Sequence, residues 1–249
     1  MEAGAAKNGA STSAKEEISR EEERRPSLNS LALMRKATTP TDISSIDMKD
    51  WRDVVYEGVL LEENTQKFWV DKKHHKNCFL VLPKACDIAG GDEESRWSWI
   101  TEKIKWFSFR SAVDIDIPKL KQSSYLFIQG RFNTRALSPN TTYEVAFVVK
   151  LGPDNLGTSE LNLELDLPNA PEGNKRPNRQ DLKNEPRGKW IKLRAGEFMM
   201  GPKTVGRISF ALHETRYNEK SNLILRGVLI HPKDDSAKHN QCDAVEHFL

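Results

Sequence analysis

An all-β chain, folded as an antiparallel, jelly-roll-like β-sandwich, is predicted by three features of the sequence. Leu161, Leu163, Leu165 and Leu167 alternate without error with Asn162, Glu164 and Asp166, the period-two pattern of a strand with one wet face. About nine short apolar or alternating runs follow one another with turn residues between them. No helix-length amphipathic segment separates these runs, as the crossovers of a parallel sheet would require.

Residues 1–46 contain few large apolar side chains, and such a segment buries too little surface to offset its chain entropy. It is expected to be a disordered tail, with at most a transient helix over residues 14–25. Within it, Arg24-Arg25-Pro26-Ser27-Leu28 sets two arginines before a serine, the pattern that a basophilic kinase reads, so Ser27 is a candidate phosphorylation site. Aromatic residues begin at Trp51 and Tyr56, and Ile46, Val54 and Leu61 recur near helical spacing, which predicts a short helix within residues 44–61. The folded domain is expected over residues 47–233, followed by a polar tail over 234–249.

Phe68-Trp69-Val70 opens the strand-rich part, and the apolar run from Cys78 to Leu82, closed by Pro83, reads as a buried strand. A negative, Gly-paired loop follows at residues 90–95, then Trp97-Ser98-Trp99. The two tryptophans are expected on opposite faces of their segment, one in the core and the other toward a ligand. Val113, Ile115 and Ile117 alternate with Asp114 and Asp116, and Tyr143, Val145, Phe147, Val149 and Leu151 define one face of a long strand. Another strand begins at Tyr125. Residues 168–189, rich in Pro, Asn, Gly, Lys and Arg, are expected to be a long exposed loop. Residues 190–194, 207–213 and 223–230 supply the closing strands.

Composition restricts function more than it suggests one. A net charge of +2 over 249 residues argues for neither duplex DNA nor an anionic membrane. No apolar run is long enough to span a bilayer and no secretory signal opens the chain, so a cytosolic or nuclear location is expected. Cys78, Cys86 and Cys242 are then expected as free thiols. Cys78 and Cys86 with His74 and His75 lack metal-ligand spacing, so no metal is predicted.

There is no nucleophile-elbow serine, no phosphate-cradling glycine loop and no His-Glu-x-x-His pair; no catalytic residue or cofactor is predicted, and the chain is read as a non-enzyme. A basic stretch around Lys183, Arg187, Lys189, Lys192 and Arg194, with Trp190, makes RNA a secondary expectation, because Asp181 and Glu185 interrupt the charge. A sugar fits better. Its C–H face suits an aromatic ring and its hydroxyls need carboxylates and backbone groups, which an exposed tryptophan beside an acidic loop supplies.

Several motifs, in order, also resemble the lectin domain of the plant phloem protein 2 family. They are Trp97-Ser98-Trp99, residues 125–132 with Leu137 and Pro139, residues 143–151, Lys189-Trp190 through Gly196-Glu197-Phe198, and residues 227–233; together they cover about residues 51–233. The resemblance implies a jelly-roll-like sandwich that binds N-acetylglucosamine oligomers or N-glycan cores, in phloem or in defence. By position it implies Trp97 as the sugar platform, with Trp99 beside it, and Glu214 as a hydroxyl acceptor. Ungapped matching sets Gly90 where the family has a further tryptophan and Arg207 where it has a further glutamate. A second reading stays open, in which the sugar site has decayed and the chain is a protein-interaction or filament-forming phloem protein crosslinked through Cys242. A homodimer is compatible with either.

Overall fold

The computed structural model describes residues 27–37, 50–104, 113–153, 160–168, 177–214, 216 and 218–233. Two helices precede the strands, α1 (Leu28–Met34) and α2 (Asp50–Glu57). The first strands are β1 (Val59–Leu61), β2 (Gln66–Val70), β3 (Asn77–Val81), β4 (Asp87–Ile88) and β5 (Trp97–Ile104). Next come β6 (Val113–Leu120), β7 (Leu126–Asn133), β8 (Thr142–Leu151) and β9 (Glu160–Asp166). The last are β10 (Asn178–Asp181), β11 (Trp190–Met199), β12 (Arg207–Glu214) and β13 (Leu223–Pro232).

These strands make two antiparallel sheets, as the alternating patterns predict. The smaller has the order β10-β9-β12-β7-β4. The larger has eight strands and branches at β13, which pairs with β8 along one edge. Its other edge is shared by β3, at Val228 to Ile230, and by β6, at Ile224. The main core lies between the sheets: Phe79, Val145, Phe147 and Ile230 from one meet Ile128, Leu163, Phe210 and Leu212 from the other. Phe147 and Phe210 touch edge to face at a centroid distance of 6.0 Å.

The outer face of the larger sheet is covered as well: Trp69, Leu80, Leu82, Val148 and Leu229 pack with Ile115 and Ile117 of β6. An ion pair from Glu102 on β5 to the buried Arg226 on β13 ties the same hairpin down.

Two expectations are corrected and one is sharpened. Disorder over residues 1–46 does not hold for residues 27–37, where α1 forms and docks. Ser27 caps it by accepting from Ser30 N at 3.1 Å, Ser30 Oγ donates to Asn77 Oδ1 at 2.7 Å, and Met34 is fully buried in the core. The rest of that segment, including residues 14–25, lies outside the described residues, as does the tail over 234–249. The short helix expected within residues 44–61 forms at Asp50–Glu57; Gly58 at φ +92° ends it and Leu61 is already paired in β1. The loop over residues 168–189 contains β10, which pairs with β9 and is followed by the buried Leu182.

Candidate functional site

β4 is only two residues long, and residues 89–96 after it fold back on themselves before β5 begins. Tight backbone bonds close this loop: Gly91 N donates to Ile88 O at 2.9 Å, Glu93 N to Gly90 O at 3.0 Å and Arg96 N to Glu93 O at 2.9 Å. Lys121 clamps it from the β6–β7 connection, its ammonium donating to Glu94 O at 2.7 Å and its amide to Arg96 O at 2.7 Å. Arg96 neutralises Glu93 at 2.9 Å, which leaves the exposed Asp92 and Glu94 as the loop's outward acids.

The two tryptophans hold this loop from the same side. Residues two apart on a strand share a face, and both indole N–H groups donate into the loop, Trp97 to Ala89 O at 3.2 Å and Trp99 to Gly91 O at 2.7 Å. The expectation of opposite faces is therefore corrected. What separates the two rings is position along β5: Trp97, opposite Leu120, enters the core at 2% exposure, whereas Trp99, opposite Pro118, stays 41% exposed. Trp99 thus offers a ring whose polar end is already satisfied, so its apolar surface can be covered without stranding a donor.

Glu214 is 2% exposed. Its Oε1 accepts from Arg216 N at 2.8 Å and lies 3.9 Å from the Arg216 guanidinium, so the carboxylate fixes the turn after β12. The turn is linked to the tryptophan end through Ser123, whose amide donates to Lys220 O at 2.9 Å. Lys220 is itself buried, and its ammonium donates to Ser124 O at 2.9 Å and Asn218 O at 2.8 Å. Sequence reasoning missed Lys121 and Lys220, because an isolated lysine carries no signal that its ammonium will cap backbone carbonyls.

The two positions that depart from the family pattern acquire different meanings. Gly90 has φ +66°, and a Cβ on it would lie 2.9 Å from Arg96 Cδ and 3.0 Å from Glu93 Oε1. The loop is built around its glycine, and a tryptophan there would need another backbone path. Gly90→Ala is expected to cost about 1 to 2 kcal/mol from the left-handed conformation alone, read as a lower urea midpoint with unchanged slope. Arg207 starts β12 and pairs with Asn133, at the opposite end of the strand from Glu214, which pairs with Leu126. At roughly 3.4 Å per residue the two are on the order of 24 Å apart, too far to share one sugar.

The remaining candidates disperse. Trp190 is half-buried and flanked by Lys150 Nζ at 4.4 Å and the Arg226 guanidinium at 5.6 Å from its centroid, so stacking on a base would have to displace a cation. His74 Nδ1 bonds Asp71 at 2.7 Å and His75 Nδ1 bonds the Tyr56 hydroxyl at 3.2 Å. Cys78 is buried and its thiol is pushed well up by desolvation; that of Cys86 is pushed up to about 12 for the same reason. Cys242 lies outside the described residues. Ser27 is exposed, with extended backbone at φ −62° and ψ 154°. No described helix is long and apolar enough to cross a membrane.

The fold and the site define a branched antiparallel β-sandwich with a clamped aromatic and acidic loop at one end. The model of the family described as Phloem protein 2 matches residues 76–232, and the chain belongs to that family. Among its relatives is Protein PHLOEM PROTEIN 2-LIKE A1 of Arabidopsis thaliana, 35% identical over 210 residues that cover 82% of this chain and 80% of the relative. A lectin of Luffa acutangula is 28% identical, covering 73% of this chain and 83% of that protein. In shape the chain has a slight similarity to a xylan-binding domain of Paenibacillus barcinonensis, with a TM-score of 0.31 and 14% identity over 61% of this chain and 87% of that one.

Proposed function

We propose that this protein is a carbohydrate-binding, lectin-like protein that recognises N-acetylglucosamine-containing glycans at the loop of residues 89–96. The observation that carries the reading is Trp99, a half-exposed ring held by its own N–H against Gly91 O, beside the outward carboxylates Asp92 and Glu94. Relatives named as lectins, from Luffa acutangula and Coccinia grandis, support it. Trp99 takes the stacking role, and an acetamido methyl and the apolar face of the pyranose are what it covers. Trp97 and Glu214 act as positioning residues, Trp97 by holding Ala89 and Glu214 by holding the turn at Arg216.

Titration of the wild type with chitotriose tests this. Trp99→Ala is expected to weaken binding about tenfold or more, since covering a large apolar side chain contributes roughly 1.5 to 3 kcal/mol. Trp99 lies largely outside the core, so the variant's thermal midpoint should stay near that of the wild type. No heat with the wild type at millimolar chitotriose, or identical affinity for Trp99→Ala, removes the proposal.

Ser27 is offered as a phosphorylation site on its exposure and on Arg24-Arg25 before it. A basophilic kinase should label the wild-type chain and leave Ser27→Ala unlabelled. Labelling that persists in the variant places the modification elsewhere.

A further inference from the structure

The outer face of the five-stranded sheet brings aromatic rings and carboxylates together. Alternation along β7 buries Leu126, Ile128 and Phe132 and turns Phe127, Gln129 and Arg131 outward. The register sets Phe127 beside His213 and Asn162, and Gln129 between Asp87 and Ala211, with Glu164 next beyond. Neighbouring strands are about 4.8 Å apart, so β7 to β9 spans roughly 10 Å. Ala211 and Ser209 keep the middle of this span low.

Two observations point to what such a face would hold. The first is a row of rings. Tyr125, 40% exposed, lies parallel to Phe127 within 1° at a centroid distance of 6.3 Å, and Phe127 lies 6.1 Å from the His213 ring. The second is how the carboxylates are held. Several acids of the protein meet guanidinium or ammonium groups, as in Glu93 with Arg96, Asp116 with Lys84 and Glu102 with Arg226, and so does Glu160 at the end of β9, with Arg216. On this face Gln129 Nε2 donates to Asp87 Oδ2 at 2.8 Å, and Glu164 Oε1 lies 3.0 Å from His213 Nε2. An amide and an imidazole orient each acid through one oxygen, and the second oxygen is an acceptor with fixed direction. Oriented acceptors along a shallow aromatic row suit a ligand of many hydroxyls and no charge.

We propose that this face is a second carbohydrate-binding surface, separate from the Trp99 loop, that takes a flat, neutral β-linked oligosaccharide lying across β7, β12 and β9. Tyr125 and Phe127 cover the apolar faces of its rings, and Asp87, Gln129 and Glu164 receive or donate to its hydroxyls. A flat chain is required because a sheet face has no wall to follow a coiled one. The surface stands on its own residues and does not depend on what the Trp99 loop binds.

The test is calorimetric titration of the full chain, in the Trp99→Ala background, with cellohexaose and with chitohexaose. At least one hexaose is expected to bind in that background. Binding should then fall about tenfold or more on adding Glu164→Ala or Phe127→Ala. Glu164 is solvent-facing on β9, so its variant keeps the test valid if loss of the half-buried Phe127 ring weakens folding, which thermal melts would report. Two results overturn the proposal: no binding of either hexaose by the Trp99→Ala chain at millimolar concentration, or binding that Glu164→Ala leaves unchanged. Chitotriose affinity lost in Trp99→Ala while hexaose affinity survives separates this surface from the loop.

Discussion

Gly227→Val is expected to remove a large part of the stability of the domain. Gly227 sits at φ +149°, where the β13–β8 register shifts between Leu225 and Gly227. A Cβ at this position would lie 2.4 Å from Val81 O and 3.1 Å from Leu80 Cδ1, and the nearer of these is backbone that cannot rotate away. The bulge is where β13 passes from β6 to β3 as its edge partner, so relief by shifting β13 would unpair two other strands. Strain of roughly 1 to 3 kcal/mol in the backbone and a similar amount from overpacking sum to about 2 to 6 kcal/mol, against a total stability of about 5 to 15 kcal/mol for a domain. Chemical denaturation of Gly227→Val should show a midpoint far below the wild type, or an insoluble chain. A midpoint within error of the wild type would mean that the bulge is not needed for the branch.

The second large effect is a dependence of stability on pH through Lys67. This lysine lies on the covered face of the larger sheet, 2% exposed, with its ammonium 5.6 Å from the Trp69 ring centroid. Burial first, and the nearby Arg226 charge second, lower its pKa from 10.5 to about 7, while Glu57 acts in the other direction. Below pH 7 both folded and unfolded chains hold the proton, and folding carries the full cost of burying a charge. Between pH 7 and the unfolded value the unfolded chain binds more protons, so stability rises with pH, at a limiting slope of roughly 1.4 kcal/mol per unit. Above about pH 9 the raised pKa values of Cys78, Cys86 and Tyr143 act oppositely, because those groups stay protonated in the fold after they ionise in the unfolded chain. The urea midpoint of the wild type should therefore climb from pH 7 to 8.5. Lys67→Met, which keeps the stem and removes the charge, should be more stable at pH 7 and lose the climb. Equal slopes in the two proteins would show that Lys67 does not titrate in this range.

Much of the architecture was legible in the sequence because half-buried strands alternate. Leu161, Leu163 and Leu165 against Glu164 and Asp166, and Tyr143 through Leu151, appear in the structure as β9 and β8 with the predicted faces. Short-range turn chemistry was also legible, as in Gly90 and Pro83 around the loop before β5. The helix at residues 28–34 was not, because its stability comes from Met34 in the core and from the hydrogen bond of Ser30 to Asn77, 47 residues away in sequence. β10 was missed for a similar reason, since its polar residues are strand only through pairing with β9.

The candidate site divides along the same line. Residue types alone determined that the stretch after the apolar run from Cys78 to Leu82, with its acidic loop and tryptophan pair, was where an aromatic ring and hydroxyl acceptors occurred together. Which tryptophan faces solvent was decided only by tertiary structure, since Trp97 and Trp99 have the same side chain on the same strand face and differ in what lies over them. Tertiary structure likewise put Arg207 and Glu214 at opposite ends of β12 and brought His213, distant in sequence, into one row with Tyr125 and Phe127. The physical reason is that alternation and turn propensity act over a few residues, whereas exposure and the meeting of side chains depend on strand order and register, which many weak long-range contacts set together.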